Sequence, residues 1–223
     1  MKRLVGATAL ILAVAACGGS DSEPAPTAAD GTTTTTAAET TTTTDPSSDT
    51  TAPGDTTTST AAAPGRAVFA ITEVGLGGLS QVFVQNVGDA PGSLAGHWLC
   101  QRPAYYELPD VELQPGEVAQ IYVSGRDNDV FGPRDGAIVV EGPATIGTLN
   151  PADGEVGLYS SNSFGSSSDI VSYVEWGSSG HGRSDTAVAA GIWTEGFVPT
   201  TADSGAILAT RIPPTDPSHW TGG

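Results

Sequence analysis

The chain of 223 residues carries eight basic and twenty-five acidic side chains, for a formal charge of −17, with 38% hydrophobic residues and two cysteines. Such a surface repels phosphate backbones, so nucleic acid is a poor partner. Two cysteines make no disulfide framework, and His97, His181 and His219 stand too far apart for a local zinc motif, so no cofactor is expected.

The first element is an export signal. Lys2 and Arg3 precede an apolar run over residues 4–16 that ends in small residues and is too short to span a bilayer. The run closes on Val14, Ala15, Ala16 and Cys17, followed by Gly18, Gly19 and Ser20. "VAAC" resembles the lipobox of bacterial lipoproteins. The resemblance implies cleavage of residues 1–16 and a diacylglyceryl group on the Cys17 sulfur. Each buried CH₂ contributes about 0.8 kcal/mol, and two chains hold stably where one is marginal. The expected partner is therefore the lipid bilayer, through acylated Cys17, on the extracytoplasmic face of the cell membrane. A sulfur held in a thioether cannot pair with Cys100, so no disulfide is expected, and Cys100 reads as a small buried hydrophobe. The single lysine beside abundant Ala, Gly, Thr and Asp resembles the residue usage of a high-GC Gram-positive bacterium.

Residues 17–65 form the next unit, the lipidated cysteine and a linker. From Gly18 to Gly65 the sequence is almost wholly Thr, Ala, Ser, Pro, Gly, Asp and Glu, with seven acids and no base. It cannot bury enough apolar surface to offset the entropy of ordering, so a disordered tether is expected. A flexible coil of this length averages about 35 to 42 Å end to end, and full extension reaches roughly 160 to 170 Å. Threonine-rich stalks with proline are also typical O-glycosylation substrates.

All aromatic residues lie beyond Arg66, and residues 66–223 are expected to form one domain. Short runs rich in Val, Ile, Tyr and Phe predict strands at 67–74, 81–86, 97–101, 104–108, 117–123, 137–142, 155–160 and 170–176, with Gly, Pro, Asn and Asp between them. One stretch, "SDTAVAAGIW", is compatible with a short helix. The spacing argues for an all-β antiparallel sandwich or barrel. Residues 178–223 are a C-terminal extension, in which Trp193 and Trp220 are expected to hold the tail over an open edge.

Several positions in these strands carry a family resemblance. They are Glu73 after an Ile-rich strand, Asn86 and Gly88 closing the second, then Leu94, Gly96 and Trp98, and Leu113, Pro115 and Gly116 before a Val/Ile-rich strand. The hairpin positions Val156, Leu158, Asp169, Ile170, Val171 and Val174 complete the set. Together they resemble a lamin-tail domain over roughly residues 68 to 177. The resemblance implies an immunoglobulin-like sandwich acting as a non-catalytic adhesive or targeting module. His97 intervenes between a Gly and a Trp that usually adjoin in that family, which predicts a bulge in the third strand.

The search for chemistry yields little. "SGHGRSD" brings His181, Ser184 and Asp185 together, but triads converge from separated segments and no G-x-S-x-G elbow occurs. "RDNDVFGPRDG" offers Asp127, Asp129 and Asp135 as weak calcium candidates, yet Phe131 stands at the third ligand position of an EF-hand loop and no Glu closes it. Arg126 and Arg134 are expected to pair with those acids. "GLGG" at 75–78 lacks a phosphate-binding lysine, and its glycines read as turn residues. Adjacent Tyr105 and Tyr106 face opposite sides of a strand, and one could stack on a sugar.

The sequence therefore reads as a membrane-anchored lipoprotein that displays a non-catalytic β-sandwich, binding an envelope protein or glycan. The alternatives are a cell-envelope hydrolase using His181, or a structural subunit of an envelope complex.

Overall fold

The computed structural model describes residues 65–126, 129, 132–143 and 146–222. The apolar N-terminal run, Cys17, the linker and Asp127 lie outside the described residues. The described residues fall in one compact unit, Thr58–Gly223. In chain order the elements are β1 (Phe69–Gly75), β2 (Gln81–Asn86), β3 (Gly92–Ser93), β4 (Trp98–Gln101), β5 (Ala104–Glu107), β6 (Glu112–Leu113), β7 (Val118–Tyr122), β8 (Ile138–Glu141), β9 (Gly154–Tyr159), β10 (Ile170–Trp176), α1 (Ser184–Ala189), β11 (Ala206–Ala209) and β12 (Trp220–Gly222).

These strands build an all-β sandwich. One sheet has the order β12-β11-β1-β2-β7-β8, the other β10-β9-β4-β5, and β3 pairs with β6 in a small ladder. The named strands pair in antiparallel fashion except β7 with β8. The core between the sheets is filled by Ile71, Val84, Leu99, Ile121, Leu158 and Val174, all at or near zero exposure. All eight strands expected from the sequence form, with ends within two residues of their expected places.

The extension at 178–223 completes the first sheet. β11 pairs with β1 through Glu73, Val74 and Gly75, and β12 pairs with β11, with Trp220 opposite Ala209. α1 ends in a Schellman arrangement, in which Gly191 (φ 71°) donates to Val188 O at 2.9 Å and Ile192 donates to Ala187 O at 3.1 Å. Gly191 is the residue that stops the helix.

The expected bulge at His97 is not there. β4 pairs with β5 in unbroken register from Trp98, and His97 stands in a turn where Gly96 takes φ 76° and His97 N–H donates to Leu94 O. The register shifts fall elsewhere, between Ile71 and Glu73 in β1 and between Ile170 and Ser172 in β10. These two irregularities meet, because Ile71 N–H donates to Ser172 Oγ at 3.0 Å across the sandwich.

Asn86, fully buried, shows why the end of β2 needs an amide. Its Oδ1 accepts from Gly88 N–H at 3.0 Å and Val68 N–H at 3.3 Å, and its Nδ2 donates to Ala90 O and Leu113 O. Four main-chain groups that a turn leaves unpaired are thereby satisfied. Gly88 is required for a different reason: a Cβ there would lie 2.2 Å from Arg66 O.

Candidate functional site

Two regions stand out, one apolar and one polar. The first follows from the way β1 is paired. Asn86 N–H donates to Glu117 O and Asn86 O accepts from Gly116 N–H, so both its main-chain groups face β7. Phe69, its register partner in β1, is therefore a non-hydrogen-bonded position, and its N–H and C=O turn away from β2. Ile71 agrees, since its N–H leaves β1 on that same side to reach Ser172.

β11 covers this side of β1 only from Glu73 onward. Beyond Thr210 the chain would have to continue the ladder through Arg211, Ile212, Pro213 and Pro214, and proline has no N–H to give. The two prolines stand instead as a wall. Between them, β1 and the edge strand β10 lies an open groove of about 470 Å³, lined chiefly by Phe69, Ala70, Val171, Ile192, Pro213 and Pro214. Its floor carries the main-chain groups of Phe69, which have no partner among the described residues.

The second region lies on the outer face of the smaller sheet. Strand alternation sends Val156, Leu158 and Val174 to the core and Glu155, Tyr159, Tyr173 and Glu175 to the opposite face. That face is also buried, beneath α1 and Trp193, so Glu155 keeps 4% exposure and Glu175 none. The two glutamates are direct cross-strand partners, an arrangement that like charges disfavour.

Donors offset the repulsion. Glu175 accepts from Ser184 Oγ (2.9 Å), His181 N–H (3.1 Å), Trp193 Nε1 (3.3 Å) and Tyr173 OH (3.3 Å). Glu155 accepts from Arg183 N–H and Tyr173 OH, both at 2.9 Å and both on Oε2. Burial, followed by the two carboxylates, pushes the Tyr173 phenol far above its ordinary range, so it remains a donor between them.

A polar cleft of about 260 Å³ opens beside this cluster, lined by Gln101, Arg102, Asp153, Glu155, His181 and Gly182. His181 Nε2 lies 3.3 Å from Asp153 Oδ1, which also accepts from Ser178 Oγ at 2.5 Å. Of the three residues adjacent in "SGHGRSD", Ser184 is turned to Glu175 and Asp185 is exposed, so neither serves His181. The acid beside His181 is Asp153, 28 positions away in sequence.

Cys100 is fully buried with a free thiol. Arg183, rather than Arg102, is the main base that reaches it, but burial dominates and pushes the thiol up to about 11. One face of Tyr105 is taken, because its ring stacks on Phe164 at 4.2 Å, and its hydroxyl accepts from Arg183. Tyr106 donates to Glu141 O at 3.3 Å.

Among the described residues, the arginines flanking the acidic loop have ion-pair partners on the sheet. Arg126 meets Glu141 at 3.0 Å and Arg134 meets Glu73, so both tie the loop to the sheet. Asp129 accepts from Tyr122 OH and Gly132 N–H, while Asp135 is exposed. Among the described residues no three His, Cys, Asp or Glu side chains gather as a metal site, and no helix is long and apolar enough to cross a membrane.

Sequence reading missed the Glu155–Glu175 cluster and the groove. A signal for the first was present: "EVGLYS" and "IVSYVEW" each set a glutamate in an otherwise apolar strand. No family model and no curated protein matches the chain.

Proposed function

We propose that this chain is an exported lipoprotein, anchored through an acylated Cys17 and spaced from the bilayer by residues 18–65. Its lamin-tail-like sandwich is a non-catalytic module that binds a protein partner by receiving an extended segment alongside β1. The observation that carries this reading is the unpaired edge at Phe69, facing an apolar groove that the chain's own prolines keep from closing. Another backbone supplies a donor and an acceptor at the spacing of a strand, and strand addition draws affinity from those bonds and specificity from alternate side chains. The groove asks for apolar residues at alternate positions.

The test uses the full chain with Cys17→Ser, panned against displayed random peptides, with selected peptides then resynthesised. Binding should fall at least tenfold when the peptide is N-methylated at alternate residues, and again when Val171→Arg fills the groove. Peptides that bind equally well after N-methylation at either set of positions would refute strand addition. For the anchor, the native chain should partition with membranes and carry an acylated N-terminal cysteine, and Cys17→Ala should not. Equal solubility and an identical cleavage site in both would point to an ordinary export signal.

A further inference from the structure

The cleft on the outer face of the smaller sheet holds hydrogen-bonding groups that the fold does not use. Glu155 is 4% exposed, and both of its bonds fall on Oε2, leaving Oε1 with no donor among the described residues. That oxygen borders the cleft, where an ionised carboxylate accepts strongly from a donor, and best from a cation. At the rim stands Arg102, an exposed guanidinium that forms no hydrogen bond or ion pair with any described residue. Its fork is laid against the Gly182 peptide so closely that a Cβ there would fall 1.9 Å from Nη1. Gln101 adds an amide that has no partner among the described residues.

From these groups we propose that the cleft binds a small zwitterion, a molecule with an ammonium group and a carboxylate such as a free α-amino acid. The ammonium meets Glu155 Oε1, with Asp153 adding negative charge beside it, and the carboxylate meets the Arg102 fork. A planar guanidinium favours a carboxylate through two parallel bonds, and a desolvated carboxylate favours an ammonium over a neutral donor. Size agrees, since about 260 Å³ lies below the roughly 300 to 1,000 Å³ that house drug-sized ligands. Two acids with His181 do not make a cation site here, because Arg102 shares the cleft and no three ligating groups converge among the described residues. The site is separate from the groove at β1, so it stands or falls independently of strand addition.

The test follows amide resonances of the ¹⁵N-labelled Cys17→Ser chain while pools of the proteinogenic amino acids are added. Shifts should concentrate at Gly154 and Gly182 and resolve to one amino acid or a related few. The N-acetylated and the carboxamide forms of that amino acid should each bind at least tenfold more weakly, the equivalent of about 1.4 kcal/mol per lost charge. Gly182→Ala, at a position with ordinary backbone geometry, displaces only the flexible end of Arg102 and should bring the amino acid down to the level of its carboxamide. Glu155→Gln should bring it down to the level of the N-acetyl form. The proposal is overturned if no pool shifts these resonances. It is equally overturned if the N-acetylated form binds as well as the parent, or if Gly182→Ala leaves affinity unchanged.

Discussion

Replacing Glu175 with leucine tests whether a fully buried carboxylate supports this fold or burdens it. Four donors point at the carboxylate, but they are not equally stranded when it goes. Tyr173 OH keeps Glu155 Oε2 at 2.9 Å, and Trp193 Nε1 keeps Gly196 O at 3.1 Å. Ser184 Oγ and His181 N–H have no second acceptor among the described residues. Two orphaned buried donors cost about 1 to 3 kcal/mol each. Removing the repulsion with Glu155 returns about 1 kcal/mol at most. The net loss is about 1 to 5 kcal/mol, or a fall in Tm of roughly 2 to 20 °C for a domain of this size. Thermal and urea unfolding of Cys17→Ser with and without Glu175→Leu measure it. Glu175→Gln should fall between, since an amide nitrogen would oppose two of the four donors. An unchanged or raised Tm in Glu175→Leu would refute the reasoning. It would mean that desolvation of the carboxylate outweighs its bonds, as happens for some buried ion pairs.

Two further outcomes follow from the buried ionisable groups. With Cys17 replaced, Cys100 should resist alkylation at neutral pH in the folded chain and react once urea unfolds it, because burial holds the thiol near 11. Rapid labelling of the native protein would contradict its placement. Burial lowers the His97 pKa below its ordinary 6.5, so the unfolded chain takes up that proton first as pH falls. The neutral ring's contribution is therefore complete above about 6.5 and is lost as pH drops toward the folded-state value. Urea midpoints should consequently fall more steeply below pH 6.5 in the parent than in His97→Phe, which keeps the edge-to-face contact with Phe69. Identical slopes would remove the assignment.

The strands were legible because half-buried sheets impose a period of two and because Gly, Pro, Asn and Asp mark their ends. β11 and β12 were not, since "AILA" and "WTG" are too short to show a period and derive their order from β1. His97 misled in another way. A residue there fits a turn or a strand, and only Gly96 at positive φ shows that it stands in the turn. Glu155 and Glu175 were visible as letters but not as a pair, because their juxtaposition depends on the β9–β10 register and their burial on a helix whose docking no local pattern announces. The groove is the least legible feature. It arises where β11 stops pairing with β1, and the proline pair that stops it reads in sequence only as a turn.

Amide hydrogen exchange at Phe69, read by NMR on the full Cys17→Ser chain, tests the strand-addition account most directly. Val68 and Ile71 N–H are held by Asn86 Oδ1 and Ser172 Oγ, whereas Phe69 N–H faces the groove without a partner among the described residues. The account predicts rapid exchange at Phe69 between these two slow neighbours in the free protein, and strong protection there when a groove-binding peptide is added. A Phe69 amide already as protected as Ile71 in the free chain would mean that the edge of β1 is closed, and the proposed binding mode would be wrong.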